Sequence, residues 1–217
     1  MDIGCGIGVS TVGLKKHFRY VEGHDLGANL IEHAQKSYRE IQFKVCPGEQ
    51  LKSERQFNLV TSATSFYWMN REVVLPLIAN VLAKNGIFCA YKYDFPVVSG
   101  PIRNIIESDL ALHWSKHRDV RLIQFEDTLQ QIEKSGRFVD CKRFLMPNII
   151  ELTPMQVALF FLSASSVPKY IEASGGAEYA DNFVRRVCES EKAEKFMLIS
   201  TFMLLKERNC DCTSCTS

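Results

Sequence analysis

Residues 2–8 of the chain read Asp2-Ile3-Gly4-Cys5-Gly6-Ile7-Gly8, directly after Met1. A glycine-rich run between a strand and a helix lets the backbone approach a ligand closely and points its N–H groups at that ligand. Asp25 stands 23 residues after Asp2 (25 − 2 = 23), at the predicted end of the second strand. A carboxylate at that position can accept hydrogen bonds from both hydroxyls of a ribose. The run and this carboxylate together predict a nucleotide-like ligand at the carboxyl end of a parallel sheet.

Strands and helices alternate along the first 93 residues, a pattern that predicts a parallel sheet with helices on both faces. The predicted strands are 2–3, 20–24, 41–45, 57–61 and 87–93. The predicted helices are 9–18, 29–40 and 72–84, and Gly86 is predicted to cap the last of them in a left-handed conformation. The fold class that follows is α/β, with a doubly wound, mostly parallel, Rossmann-like sheet.

The alternation of strands and helices stops after Pro96, where two consecutive predicted helices, 102–117 and 127–135, have no strand between them. We therefore predict a helical insertion over residues 96–137. A strand at 138–146, helices at 154–164 and 177–195, and an antiparallel last strand at 196–206 complete a single predicted domain, residues 1–208. The polar segment 209–217 is predicted to be a disordered tail.

Composition narrows the classes of partner and compartment. With 26 basic and 25 acidic residues, the net charge of +1 gives no electrostatic case for nucleic acid binding. No stretch approaches the roughly 20 apolar residues of a membrane span, and no secretory signal is recognisable, so a cytoplasmic protein is expected. The tail cysteines Cys210, Cys212 and Cys215 lack a convincing fourth ligand, so no metal site is predicted.

The glycine spacing distinguishes between kinds of nucleotide. A dinucleotide fingerprint of the Gly-x-Gly-x-x-Gly type that starts at Gly4 would need a glycine at position 9, which is Val9. A nicotinamide oxidoreductase is therefore disfavoured. A Walker loop would end in Gly-Lys-Ser/Thr, and no such ending follows.

The spacing Asp-x-Gly-x-Gly-x-Gly resembles the first motif of class I S-adenosylmethionine-dependent methyltransferases. Further segments resemble later motifs of this family in the same order, namely 24–34, 43–51, 57–60, 66–68 and 81–86. The chain departs from the family pattern at several positions, with Gly27 for Ser, Pro47 for an acid, Asn58 for Asp and Tyr67 for His. Within the family it most resembles the group that includes the trans-aconitate methyltransferases.

The resemblance implies S-adenosyl-L-methionine as the cofactor and a small molecule as the methyl acceptor. The implied cofactor residues are Asp2, Gly4, Cys5, Gly6, Gly8, Asp25, Leu26, Gly48, Glu49 and Ser62. The helical insertion 96–137 would lie over the acceptor site, and the candidate acceptor residues are Tyr67, Trp68, Arg103, His113 and Trp114. The alternative for these five is that they are core aromatics or part of a solvated helix face. No catalytic base is identified.

The predicted activity is in-line transfer of the sulfonium methyl group to a small molecule, with a carboxylic acid as the acceptor that the resemblance favours. A carboxylate needs no general base, so alignment of the two reactants would suffice. The alternative is a degenerate methyltransferase-fold protein that acts as a binding or partner module. It is motivated by the first strand, which looks truncated because a central strand normally has about five residues.

Overall fold

A computed structural model describes residues 1–93, 95–123, 128–190 and 195–208. The chain divides into two compact units. Among the described residues, the first unit comprises 1–92, 128–145 and 202–208, and the second comprises 93, 95–123, 146–190 and 195–201.

A parallel sheet forms the centre of the first unit, with the strand order β3-β2-β1-β4-β5. Its strands are β1 (Asp2–Ile3), β2 (Glu22–Asp25), β3 (Gln42–Val45), β4 (Phe57–Ala63) and β5 (Leu82–Tyr93). In the register of the sheet, Asp2 pairs with Gly23 of β2 and with Thr61 of β4. The loop that follows β1 therefore leaves the sheet at its centre, between the ends of β2 and β4.

Three helices connect these strands: α1 (Val9–Leu14), α2 (Ala28–Ser37) and α3 (Arg71–Val81). From β1 the chain proceeds outward on one side through β2 and β3, and on the other side through β4 and β5. Right-handed crossovers in these two directions place α1 and α2 on one face and α3 on the opposite face. Two separate apolar clusters agree with this arrangement, one containing Ile31 and Phe43 and the other containing Val60 and Ile78. The predicted doubly wound sheet is confirmed.

The end of α3 differs from the prediction. The helix ends at Val81 rather than near Lys84, and β5 begins at once, with Leu82 paired to Phe57. The next pairing joins Ile87 to Leu59, so residues 83–86 bulge out of the ladder. Asn85 adopts the left-handed conformation (φ 61°), and Gly86 allows close approach to the backbone oxygen of Ala83. The predicted cap at Gly86 is wrong because the bulge, not a helix end, uses this glycine.

The first unit also contains helix α6 (Thr128–Lys134) and the first part of strand β7 (Phe138–Leu152). Ile132 of α6 and Phe138 of β7 are buried in the same apolar cluster as α3. Phe138 lies 6.1 Å from Phe88, measured between ring centroids. Helix α6 therefore packs with the sheet, although it was predicted as part of the insertion 96–137.

The second unit is mainly helical and has its own core. Its helices are α4 (Ile102–Asp109), α5 (Val120–Ile123), α7 (Pro154–Leu162), α8 (Ser166–Tyr170) and α9 (Ala177–Glu189), with a π-helical turn at Leu110–Trp114 that continues α4. Strand β6 (Val97–Val98) pairs antiparallel with residues Leu198 and Met197 of the last strand, β8 (Lys195–Arg208). A last strand is thus present, and it is antiparallel to β6. Buried Trp114, Phe161 and Phe183 form the centre of this core.

Within the described part of the chain, the helices fall short of the length and apolarity that a membrane crossing requires. The residues of the predicted polar tail, 209–217, lie outside the described residues.

Candidate cofactor site at the carboxyl end of the sheet

The glycine loop forms a tight turn that is fastened to β2. The backbone N–H groups of Gly4 and Cys5 both donate to the carbonyl oxygen of His24, at 2.7 and 3.0 Å. Gly4, Gly6 and Gly8 have φ values of +68°, +55° and +87°, in the left-handed region that side chains disfavour. A Cβ on Gly4 would collide with Ser65, whereas a Cβ on Gly6 would meet no atom within 4 Å. The open side of the loop is therefore at Gly6.

Asp25 joins this open side of the loop to the start of α2. Its Oδ2 accepts a hydrogen bond from the N–H of Gly6, and its Oδ1 accepts one from the N–H of Gly27, both at 2.8 Å. The side chain is half-buried, and the neighbouring Leu26 is 73% exposed. Each carboxylate oxygen can accept a second hydrogen bond. Asp25 can therefore receive a pair of hydroxyl groups while it holds the loop.

Asp2 is enclosed rather than open to a ligand. Its carboxylate is fully buried and accepts hydrogen bonds from three hydroxyl groups, those of Ser10 and Thr11 on α1 and Thr61 on β4. Burial raises the pKa of this carboxyl group, and the three hydroxyl donors oppose that rise. The contacts tie the loop, α1 and β4 together, so they favour a positioning role for Asp2 over the direct cofactor contact predicted from sequence.

His24 provides the support beneath the loop, a feature that sequence reasoning did not single out. Its Nε2 lies 3.1 Å from Oε2 of Glu22, and both side chains are buried. The other carboxylate oxygen of Glu22 is 3.0 Å from Nζ of Lys44. Desolvation lowers the pKa of His24, against the opposing effect of Glu22. The available signal was the presence of Glu22 and His24 two residues apart on β2. Side chains two apart in a strand share one face of the sheet, and here they form a buried polar network behind the carbonyl that holds Gly4 and Cys5.

The turn after β3 and the segment after β4 meet beside Gly4. In the turn Gly48–Gln50, the carboxylate of Glu49 accepts a hydrogen bond from the N–H of Asn70 at 2.7 Å. A Cβ on Gly48 would lie 2.7 Å from Sδ of Met69. Two predicted cofactor residues, Gly48 and Glu49, are thus engaged with the segment that leads into α3.

Ser62 is fully buried, and its hydroxyl group shares a hydrogen bond with Ser65 at 2.9 Å. Ser65 in turn donates to the carbonyl oxygen of Ile3 at 3.1 Å. Ser62 thus supports Ser65, the residue that packs on Gly4. Sequence reasoning missed Ser65 and Met69, because neither belongs to a motif and only their packing on the glycines reveals them.

Cys5 can serve a ligand only through its backbone, because its side chain is buried in the cluster that contains Ile31 and Phe43. Burial raises the pKa of the Cys5 thiol to about 12, and the negative charges of Asp2 and Asp25 add to this rise. The thiol is therefore protonated and unreactive at neutral pH.

We expect iodoacetamide at pH 8 to alkylate Cys5 at least tenfold more slowly than the half-buried Cys46, because the Cys5 thiol is enclosed and each unit of pKa lowers the thiolate fraction about tenfold. Burial also raises the pKa of Cys46, but its side chain is partly exposed. Mass spectrometry of tryptic peptides measures both rates, and the same reaction in urea is the control because unfolding should equalise them. Equal rates in the folded protein would contradict the burial of the Cys5 thiol.

The aromatic run after β4 lies at the same end of the sheet. Phe66 is buried against Phe88, with ring centroids 5.1 Å apart. Tyr67 is half-buried on this core, and Trp68 is 39% exposed, with its ring centroid 5.0 Å from that of Tyr67. Trp68 is therefore the member of this predicted acceptor pair whose ring is open to a ligand.

The other three predicted acceptor residues belong to the second unit. Trp114 is 0% exposed, and its Nε1 donates to the hydroxyl group of Tyr179 at 2.8 Å. The prediction that Trp114 contacts an acceptor is wrong, because this side chain is enclosed in the core of its unit. Arg103 is exposed and paired with Glu107 at 2.6 Å. His113 stacks on Tyr170, with ring centroids 4.9 Å apart.

Metal ligation has no candidate among the described residues, where no group of three or more His, Cys, Asp or Glu side chains is arranged to hold an ion. The cysteines of the predicted tail, Cys210, Cys212 and Cys215, lie outside the described residues.

The sheet order, the left-handed glycine loop and the carboxylate at the end of β2 are the arrangement of a Rossmann-like methyltransferase fold. Residues 1–86 match the family model described as "Methyltransferase domain". The structure of a putative type II methyltransferase from Anaeromyxobacter dehalogenans superposes with a TM-score of 0.73, covering 95% of this chain and 88% of that chain at 14% identity. The chain thus has the fold of the class I methyltransferases, as its sequence motifs predicted.

Two curated relatives resemble parts of the chain. The probable S-adenosylmethionine-dependent methyltransferase CRG1 of Saccharomyces cerevisiae is 32% identical over 110 residues, which cover 44% of this chain and 38% of that protein. The malonyl-[acyl-carrier protein] O-methyltransferase of Priestia megaterium is 36% identical over 74 residues, or 32% of this chain and 27% of that protein. The chain therefore matches less than half the length of each of these relatives.

Proposed function

We propose that the chain binds S-adenosyl-L-methionine at the carboxyl end of the sheet and transfers its methyl group to a small-molecule acceptor. The observation that carries the proposal is the contact between Asp25 and the N–H of Gly6, at 2.8 Å. It places a carboxylate suited to a ribose directly beside the open side of a loop suited to the methionine part of the cofactor. The name of the yeast relative supports the same cofactor.

The assignment of roles follows the order of the strands. The loop after β1 would hold the methionine end, Asp25 after β2 would hold the ribose, and the Gly48 turn after β3 would border the adenine. Asp2 and His24 act through the loop, the first by binding three hydroxyl groups and the second through its carbonyl oxygen. The sulfonium supplies the electrophilic methyl group, so the protein contributes mainly alignment of the acceptor with it.

A small carboxylic acid is the acceptor we propose. A carboxylate is already deprotonated at neutral pH and requires no general base. This chemistry suits the site, because the two ionisable groups of the glycine loop are poorly placed to take a proton from an acceptor. The buried carboxylate of Asp2 is bound by three hydroxyl groups, and the Cys5 thiol has a pKa of about 12. The name of the Priestia megaterium relative, an O-methyltransferase, also supports an oxygen acceptor.

The test is a transfer assay with methyl-labelled S-adenosylmethionine and a panel of small mono-, di- and tricarboxylic acids, with small amines as the comparison set. We expect label in a methyl ester, which mild alkali hydrolyses to labelled methanol. The variant Asp25→Ala serves as the control for transfer that depends on the site. Label that survives alkali would contradict a carboxylate acceptor, and label that appears equally with Asp25→Ala would contradict the assignment of the site.

A further inference from the structure

The imidazole of His24 is a buried group that the backbone role of this residue does not explain. The carbonyl oxygen of His24 accepts from the N–H groups of Gly4 and Cys5, and a residue of any type could supply that carbonyl. The side chain is 2% exposed, and its Nδ1 has no hydrogen-bond partner among the described residues. A buried polar atom without a partner is uncommon in a folded protein and calls for a reason.

The contacts of Glu22 fix which nitrogen of the imidazole carries the proton. Burial acts to raise the pKa of Glu22, but hydrogen bonds from Tyr20 and Lys44, and one from the imidazole itself, outweigh it and leave the pKa below its usual value. Glu22 is therefore ionised at neutral pH and can only accept hydrogen bonds. Its Oε2 lies 3.1 Å from Nε2 of His24, so Nε2 donates and Nδ1 is left unprotonated.

The surroundings of the imidazole suit its neutral form. Three charged groups act on it: Glu22 on the same strand, Lys44 on β3 and the amino group of Met1. Desolvation lowers the pKa of His24, Glu22 opposes this, and the two cations add to the lowering. Glu22 already balances one cation, since its Oε1 lies 3.0 Å from Nζ of Lys44. A proton on Nδ1 would therefore add a second positive charge and a buried N–H without an acceptor.

We propose that His24 is a positioning residue of the cofactor site: its neutral imidazole fixes the carbonyl oxygen that holds the glycine loop, and a proton on Nδ1 releases the loop. The inference rests on the proposed function. The side chain and the carbonyl belong to one residue of a four-residue strand, so an imidazole that moves to reach solvent takes its own peptide group with it. The next residue is Asp25, which binds Gly6, so the same movement reaches the ribose position.

The sign of the pH dependence follows from the two states of the loop. With the loop held, the pKa of His24 lies below its usual value of about 6.5, and with the loop released the imidazole reaches water and regains about that value. Between the two pKa values the released form binds more protons, so acid favours it. A cofactor that needs the held loop is therefore bound about tenfold more weakly at about pH 5.5 than at neutral pH.

Calorimetric titration of S-adenosylhomocysteine at several pH values tests the proposal. For the unaltered chain we expect a constant Kd above about pH 7 and a Kd about tenfold higher at about pH 5.5. His24→Gln keeps a neutral N–H donor for Glu22 and cannot take the proton. Its Kd at neutral pH should lie within about threefold of that of the unaltered chain, and it should change less than about threefold on acidification. His33→Gln, whose position on α2 is exposed, is the matched control and should keep the full pH dependence.

The amino group of Met1 titrates in the same range, because burial lowers its pKa to about 6. It is present in all three proteins, so its contribution is the change that remains in His24→Gln. A histidine that only supports the fold would leave the pH profile as it is when replaced. Equal pH dependence in the unaltered chain and in His24→Gln would therefore overturn the inference.

Proton NMR of the unaltered chain gives a readout that needs no variant. The pKa of His24, followed by its imidazole resonance and assigned by through-space contacts, should fall when S-adenosylhomocysteine saturates the chain, because linkage between two sites is reciprocal. Binding that leaves this pKa unchanged would overturn the inference alone. Absence of binding at neutral pH would overturn the proposed function and the inference with it.

Discussion

Asp25→Ala is expected to bind S-adenosylhomocysteine about a hundredfold more weakly than the unaltered chain. A hydrogen bond to a charged group contributes about 1.5–3 kcal/mol, and a tenfold change in affinity corresponds to about 1.4 kcal/mol. The variant loses the two bonds that the ribose hydroxyl groups would make. Two such bonds would contribute about 3–6 kcal/mol of binding free energy. Water at the vacated position offsets part of this loss, so we expect an effect of about 3 kcal/mol, or about a hundredfold in affinity.

The same substitution also removes two internal contacts, those with the N–H groups of Gly6 and Gly27. Asp25→Asn separates the two effects, because its amide oxygen can still accept from one N–H group while the negative charge is lost. We expect its affinity to lie between those of Asp25→Ala and the unaltered chain. Titrations should be run well below the melting temperature of each variant, which a thermal scan supplies.

Glu32→Ala is the matched control for loss of a carboxylate. Glu32 lies on α2, its side chain is 63% exposed, and it pairs with Lys36 one helical turn away. Exposed pairs of this kind contribute little to stability. Its removal should leave the affinity for S-adenosylhomocysteine within about twofold of the unaltered chain, since about 0.4 kcal/mol is a factor of two. Equal affinities of Asp25→Ala and Glu32→Ala would contradict the assignment of Asp25 to the cofactor site.

Gly4→Ala is expected to lower the free energy of unfolding by several kcal/mol. The left-handed φ of +68° alone costs a side-chain-bearing residue about 1–2 kcal/mol. The new Cβ would also lie 2.4 Å from Cβ of Ser65, and the backbone would have to move to relieve this clash. Urea unfolding followed by circular dichroism measures the change.

Gly13→Ala is the control within the same region. Gly13 lies inside α1 and is not among the residues with positive φ, and a Cβ added to it would meet no atom within 4 Å. Alanine there should stabilise the protein by about 0.5–1 kcal/mol, because glycine in a helix interior is unfavourable. The two glycine-to-alanine changes, in the same loop and helix, are therefore expected to have opposite signs.

A second-site change tests the cause of the Gly4 effect. Ser65→Gly removes the side chain that a Cβ on Gly4 would meet, so the double variant Gly4→Ala with Ser65→Gly should lose less stability than the sum of the single variants. The strain of the left-handed backbone would remain. Strict additivity would contradict the clash as the cause, and a neutral Gly4→Ala would contradict the loop conformation itself.

The sequence predicts the parts of the fold that depend on local pattern. The spacing of Gly4, Gly6 and Gly8, with Asp25 after the next strand, is a local signal, and the structure brings Gly6 and Asp25 into direct contact. The alternation of strands and helices likewise predicts the parallel sheet. Right-handed crossovers then fix the faces on which α1, α2 and α3 lie.

What the sequence could not predict depends on tertiary packing. An acidic residue at the head of a glycine loop looks like a ligand contact, and only the fold shows that Asp2 is enclosed by hydroxyl groups from α1 and β4. Trp114 looks like a recognition residue on a helix, yet packing against Phe161 and Phe183 buries it. Met69 carries no motif, and its relation to Gly4 and Gly48 exists only in three dimensions.

Calorimetric titration of S-adenosylhomocysteine into the chain tests the central claim most directly. The account predicts saturable binding with one site per chain and a micromolar Kd, and no heat of binding from NADH under the same conditions. Absence of binding by a chain that melts cooperatively, or binding of NADH in place of S-adenosylhomocysteine, would contradict the account.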